Sequence, residues 1–169
     1  NLTYIDQYHL ARPLMCKPLR TGKWYFEITG ADALGAIVGT PEEAPRVSNI
    51  GSNAGPSTAV GFSYGGNSYV MSNIVGDTLL GAMTRPTTYE SQNTPFGVCI
   101  DLDNKKMYLI NNNVTEPIAA DITTSTTGEY YPAISWTTGF LTPFTVVNLG
   151  TVPFANNIPA GYTKLSDYN

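Results

Sequence analysis

Few residues in this 169-residue chain are equipped for chemistry. The single histidine, His9, stands near the N-terminus. A Ser-His-Asp or Cys-His device needs an imidazole within hydrogen-bond reach of a nucleophile. A half-exposed strand residue is the simpler reading of His9. One histidine excludes most His-based zinc sites, and Cys16 with Cys99 cannot supply four ligands. Two cysteines make no disulfide framework; both are expected to be free, with Cys99 buried in a strand. A glycosidase needs two carboxylates about 5–9 Å apart across a cleft. Asp101 and Asp103, two apart and read on one strand face, could reach that spacing. Glu27 lies among aromatics and is expected on a polar face or paired with Lys23 or Arg20. Gly61-Phe-Ser-Tyr-Gly-Gly66-Asn67-Ser68 has the outline of a phosphate-binding loop. Its lysine is replaced by Asn67 and no helical pattern follows, so it reads as a hairpin. No loop of alternating oxygen ligands suggests calcium. Asn1-Leu2-Thr3 and Asn113-Val114-Thr115 fit a glycosylation acceptor, in a chain where such matches arise by chance. No catalytic residue, metal ligand or cofactor is therefore expected.

Composition points to an all-β domain with long loops. Charged residues make up 13%, about half the usual ~25%. Thr (21), Asn (14), Ser (10), Gly (16) and Pro (12) fill the gap. Thr favours strands, while Gly, Pro and Asn favour turns. The net charge of −4 and the lack of any Lys/Arg run argue against a nucleic-acid partner. No apolar stretch approaches the ~20 residues of a membrane-spanning helix, so no membrane insertion is expected. No signal peptide is visible, and Asn1 suggests a chain cut from something longer or processed.

Strand signals recur every 8–15 residues, as in a sandwich or barrel. Candidate strands run over Lys23–Thr29, Leu34–Val38, Val60–Tyr64, Ser68–Met71, Phe96–Ile110 as a hairpin, Tyr130–Trp136 and Phe144–Leu149. In the hairpin, Phe96, Val98, Ile100 and Leu102 share one face, and Gly97, Cys99 and Asp101 take the other. Trp24, inside the opening strand, is expected in the core. Pro41–Pro56, Arg85–Pro95 and Val114–Gly128 read as long polar loops unlikely to pair. Long loops on a rigid β scaffold are where binding usually sits. Nineteen aromatic residues exceed what the strand cores require. Tyr64, Tyr69, Tyr89, Trp136 and Phe140 fall at strand ends or in loops, with Asn67 and Asn111 beside them. These are the candidate ligand-binding residues. A ring would stack on a sugar or pack on a peptide while amides bond hydroxyls or backbone.

The order of these pieces resembles the SPRY (B30.2-like) domain. Thr21-Gly-Lys-Trp-Tyr-Phe-Glu-Ile28 is similar to that family's opening strand. Val60-Gly-Phe-Ser-Tyr64 with Gly65-Gly66-Asn67-Ser68-Tyr69 resembles its Gly-aromatic hairpin. Phe96-Gly-Val-Cys-Ile-Asp-Leu-Asp-Asn104 with Met107-Tyr-Leu-Ile-Asn-Asn112 resembles its central hairpin. Tyr131-Pro-Ala-Ile-Ser135, Val146-Val-Asn-Leu-Gly150 and Pro159-Ala-Gly-Tyr-Thr-Lys-Leu165 resemble its later strands and closing segment. The match spans 21–165, and 1–20 reads as one or more lead-in strands of the same single domain, 1–169. The closing segment and the Thr/Asn/Gly bias look most like the variant in bacteriophage virion and tail-associated proteins.

The resemblance implies a bent antiparallel β-sandwich, all-β, of the concanavalin-like jelly-roll type. It makes Asp101 and Asp103 structural strand-to-turn residues. It implies a non-enzymatic recognition module that holds a protein or cell-surface glycan by edge loops. A phage virion is the expected setting, in host attachment or in a tail or head fibre; otherwise the location is extracellular. The alternative is a structural virion domain whose aromatics are buried against other virion proteins. Two departures stand out. Asn104-Lys105-Lys106 replaces the usual Asn-Gly-Lys turn, and Trp136-Thr-Thr-Gly139 shifts the aromatic of the family's peptide pocket.

Overall fold

The computed structural model describes residues 2–4, 12–15, 17–29, 33–38, 59–65, 68–73, 78–84, 95–115, 119–122, 127–135 and 145–168. Among these residues the structure is almost entirely strand. In chain order the strands are β1 (Leu2–Tyr4), β2 (Arg12–Pro13), β3 (Lys23–Thr29), β4 (Ala33–Val38), β5 (Ala59–Gly65), β6 (Ser68–Asn73) and β7 (Thr78–Thr84). Then follow β8 (Phe96–Asp101), β9 (Lys106–Asn111), β10 (Val114–Thr115), β11 (Ala120–Asp121), β12 (Tyr130–Ser135), β13 (Thr145–Asn148) and β14 (Thr163–Lys164). A single 3-10 turn, Leu165–Asp167, closes the described chain.

Two sheets form. The first has the order β1-β13-β3-β8-β9-β10, with β11 also on β9 and β14 also on β3. The second has the order β2-β12-β4-β5-β6-β7. Every pairing is antiparallel except that of β14 with β3. Alternation puts Phe26, Ile28, Val98, Ile100, Leu109 and Val147 of the first sheet into one core, where Leu19 and Tyr130 join them. This is the expected all-β sandwich. The predicted face of Phe96, Val98, Ile100 and Leu102 is in that core.

The outer face of the first sheet is also buried, which alternation alone did not foretell. Tyr25, Cys99 and Ile110 form a second small cluster there, with Tyr108, Phe154 and Tyr162 packed on it. The C-terminal segment supplies the cover, and Phe154 meets Tyr25 edge-to-face at 4.8 Å. A turn ends that cover: Tyr162 N–H bonds Pro159 C=O at 3.1 Å, and Gly161 takes φ +84°. That is the positive φ a type II turn demands at its third residue. Trp24 is only partly buried, packed against the core's margin and edge-to-face with Tyr168 at 5.1 Å.

Several sequence expectations need correcting. Asp103 does not share a strand face with Asp101, because β8 ends at Asp101 and Asp103 lies in the turn. The stretch Val114–Gly128 does pair: β10 lies on β9 at Asn111 and Ile110, and β11 on β9 at Met107 and Lys106. Two-residue strands are too short to carry a period. Strand β7 went unrecognised because Gly81 breaks it and its register against β6 shifts between Met71 and Ser72. Strand β13 ends at Asn148, one residue short of the expected Leu149. His9, Cys16, Trp136, Phe144 and the Pro41–Pro56 stretch lie outside the described residues.

The two ends of the sandwich differ. In the second sheet, Ser135, Ala33, Ser63, Val70 and Ala82 align across the strands near one end, while Tyr130, Val38, Ala59 and Asn73 mark the other. In the first sheet, Val146, Thr29, Ile28 and Phe96 lie at one end with Asn111, and Lys23, Asp101 and Lys106 at the other. Only three residues separate Thr29 of β3 from Ala33 of β4. Four residue steps span at most ~14 Å, so those two ends adjoin. At the opposite end the Lys105 ammonium sits 4.5 Å from the centre of the Tyr130 ring.

Candidate functional site

The Lys105/Tyr130 end is built from ion pairs. Lys23 Nζ lies 2.8 Å from Asp101 Oδ2, Arg20 Nη2 lies 2.7 Å from Glu129 Oε1, and Lys106 pairs with Asp121. Asp101 also accepts the Asn104 N–H at Oδ1 and the Asn104 amide at Oδ2, both at 2.9 Å. Burial works against its ionised form, yet the hydrogen bonds from Lys23 and Asn104 outweigh it and hold the carboxyl below its ordinary value. Asp103 Oδ1 accepts the Gly22 N–H at 2.8 Å. Both carboxylates thus close the β8–β9 turn, the structural role that the resemblance implied. In that turn Lys105 takes φ +55° where a glycine would be at ease. Among the described residues, no group of three His, Cys, Asp or Glu side chains could hold a metal ion.

The opposite end is where the candidate binding segments attach. Tyr64 of β5 and Tyr69 of β6 are direct Cα partners in the last turn of their hairpin. Asn67 lies in the two-residue link between β5 and β6, outside the described residues. Tyr89 belongs to the chain between Thr84 of β7 and Pro95, and Trp136 and Phe140 to the chain between Ser135 of β12 and Thr145 of β13; these too are outside the described residues. The strand ends that carry these segments all lie at this end. Asn111 closes β9 here. The topology therefore brings Tyr64, Tyr69 and Asn111, and the points of departure for the other four, to one end.

Beneath this end lies a polar clasp that sequence reasoning missed. Glu27, 3% exposed, pairs with neither Lys23 nor Arg20, correcting the expectation. Those cations are taken by Asp101 and Glu129. Glu27 Oε1 instead accepts the Asn156 N–H at 2.7 Å, the Asn156 amide at 3.0 Å and the Tyr25 hydroxyl at 3.0 Å. Its Oε2 accepts the Ala155 N–H at 2.8 Å. Asn156, 5% exposed, donates its amide to Pro95 C=O at 3.1 Å and accepts the Asn113 N–H at 2.9 Å. Asn113 Oδ1 returns the contact by accepting the Asn157 N–H at 2.6 Å. One side chain thereby ties β3, the start of β8, the β9–β10 turn and the C-terminal segment together. That buried carboxylate is satisfied entirely by neutral donors.

The C-terminal segment also walls an open groove of about 470 Å³, lined by Gly150–Phe154, Asn156–Ile158 and Lys164. Asn148 holds its near wall, donating to Val152 C=O at 3.3 Å and Pro153 C=O at 3.2 Å. Val152 and Ile158 on this groove, and Val114 on β10, are the exposed large aliphatics among the described residues (42%, 37% and 65%). Cys99 is free and buried, and burial pushes its thiol up to about 12. Burial likewise raises Tyr25 and Tyr162 above the ordinary phenol value. None of these groups is poised as a nucleophile near neutral pH.

No family model matches the sequence, and no curated protein matches it. Among solved structures, the chain is similar to one described as "Crystal structure of TRIM65 PSpry domain". The TM-score is 0.50 at 16% identity, and the match covers 78% of this chain and 66% of that one. The likeness therefore spans just under two thirds of that chain. Together with the two stacked antiparallel sheets, it shows that the chain has a SPRY-like β-sandwich fold.

Proposed function

We propose that the chain is a non-enzymatic recognition module that binds its partner at the end where Tyr64, Tyr69 and Asn111 converge. Asn67, Tyr89, Trp136 and Phe140 are the further contact residues of this reading. The observation that carries it is the convergence of strand ends: the β5–β6 hairpin and the chain leaving β7, β9 and β12 all depart from one end of a rigid sandwich. The other end is closed by ion pairs. Rigid strands presenting variable segments at one end suit recognition. The partner is a protein or a cell-surface glycan. The virion setting, with the domain on a phage particle for host attachment, is supported by the sequence resemblance.

The test is a screen of the chain against intact bacterial cells and immobilised glycans, followed by alanine variants of Tyr64, Tyr69 and Trp136. A hot-spot ring costs ~2 kcal/mol or more on truncation. If all three variants bind like the parent, the reading is wrong. A second reading has its own observation: Val114, Val152 and Ile158 expose aliphatic surface around the C-terminal segment. That surface suits a structural virion domain held in a permanent interface. Such contacts bury ~2,000 Å² or more. Light scattering separates the two, since a stable oligomer favours the second and a monomer the first.

A further inference from the structure

The turn between β9 and β10 carries polar groups that the fold leaves unused. Asn111 faces Val114 in register, so Asn112 and Asn113 form a two-residue loop. Both take positive φ, 49° and 62°, as a type I′ turn requires, and asparagine tolerates that region better than other non-glycine residues. Asn112, Asn113 and Asn157 are all exposed. Asn113 uses its N–H on Asn156 and its Oδ1 on the Asn157 N–H. Among the described residues nothing bonds the Asn113 Nδ2 group or the amides of Asn112 and Asn157. Just inside the turn, Asn111 Oδ1 is buried with no donor. That atom is sealed from solvent, so the groups open to a ligand here are the exposed amides of Asn112, Asn113 and Asn157.

The corner is also pre-shaped and, among the described residues, presents no unpaired charge. Asn156 holds the turn from below through Glu27 and Pro95. The pairs Arg20–Glu129, Lys23–Asp101 and Lys106–Asp121 lie at the other end of the sandwich. Lys164, the one charged residue lining the neighbouring groove, lies 3.8 Å from Asp167. Beside the amides, Val114 stands 65% exposed.

We propose that this turn binds a neutral saccharide. Each amide places a donor beside an acceptor, and each hydroxyl is both, so amides held in a fixed turn match neighbouring hydroxyls on a sugar ring. Val114 gives an aliphatic surface for the ring's C–H face. Among the described residues an anionic ligand finds no unengaged cation here, and an apolar peptide side chain finds only Val114 and Ile158. The inference rests on the reading that this end faces the partner, and it adds Asn112, Asn113 and Asn157 to the contact set.

The experiment is backbone-amide NMR mapping on the full 169-residue chain. The probes are neutral oligosaccharides (glucan, mannan, galactan and N-acetylated types) and acidic oligosaccharides of matched length. The expected result is that at least one neutral sugar shifts amides of 111–115 and 156–158, with an affinity unchanged from low to high salt. The double variant Asn112→Ala/Asn157→Ala, at exposed positions, should weaken it about tenfold, the loss of one to two net hydrogen bonds. The proposal is overturned if no neutral sugar shifts these amides, or if only acidic sugars do so and high salt abolishes them. A peptide binding the turn in their place also overturns it. If cell binding is lost in the tyrosine variants while sugars leave the turn untouched, this inference falls and the proposed function stands. If the ligand maps to the ion-pair end, both fall.

Discussion

Replacing Glu27 by Gln exchanges one oxygen for an NH2 group and should cost about 3 kcal/mol. Glu27 Oε1 faces three donors and Oε2 faces one, the Ala155 N–H. A glutamine in the same pose keeps its carbonyl oxygen on the three donors. Its NH2 then confronts the Ala155 N–H, so one charge-assisted bond worth ~1.5–3 kcal/mol disappears. The three that remain become neutral bonds of roughly half the strength, a loss of ~2–4 kcal/mol that relief of the buried charge's desolvation largely offsets, leaving ~1 kcal/mol. Glu27→Ala strips the acceptor from all four donors and should cost ~5 kcal/mol. That is comparable to the whole stability of a marginal domain. Urea denaturation followed by tryptophan fluorescence gives the numbers. Hydrogen exchange gives the mechanism, because amides 155–157 and 113 should lose protection while those of the Asp101 turn keep theirs. If Glu27→Gln costs under ~1 kcal/mol, or protection falls evenly across the molecule, the clasp does not hold the C-terminal segment as described.

Further expectations concern packing, backbone and pH. A Cβ on Gly97 would lie 2.4 Å from Tyr25 Oη and 2.7 Å from its ring; with Tyr25 fully buried, Gly97→Ala should cost ~1–3 kcal/mol in urea melts. Lys105→Gly relieves a left-handed lysine worth ~1–2 kcal/mol but gives up the ammonium over Tyr130, ~0.5–1 kcal/mol, and a more entropic unfolded chain. The melting temperature should therefore move little, and a large fall would show that the turn depends on the lysine. Asp101 titrates below its unfolded value of 3.8, so its contribution is intact above that pH and is lost as pH falls through the folded value. Urea midpoints should hold steady from neutral pH to about pH 5 and drop below about pH 4, and Asp101→Asn should flatten that drop.

Reading the chain alone gave the strand-rich core and missed what lies outside it. Phe96, Val98, Ile100 and Leu102 were legible because alternation reports one buried face directly. Cys99 was read as buried, but the burial of Tyr25 and Ile110 on the same face was not legible, since it depends on a segment more than forty residues beyond Ile110. Glu27 shows the same limit. Lys23 and Arg20 were near in sequence, but its partners Ala155 and Asn156 lie 128 and 129 residues on. At the candidate end, Asn111 was found through its place after an apolar strand. Asn112 and Asn113 were passed over as contact residues, although Asn-Asn between Asn111 and Val114 was itself a signal for a two-residue turn with positive φ. Asn157 gave no local signal, because the tertiary contact with Asn113 brings it to the corner.

The cover over Tyr25, Cys99 and Ile110 is supplied by a segment made after all the strands it covers. Until Phe154 and Tyr162 emerge, the sheet carries a bare oily strip on its back. A version truncated ahead of Gly150 would keep that strip for good and should be sticky and poorly recovered from cells. The segment 150–164 thus acts as a shutter over the sheet, and trimming within it leaves the strip uncovered.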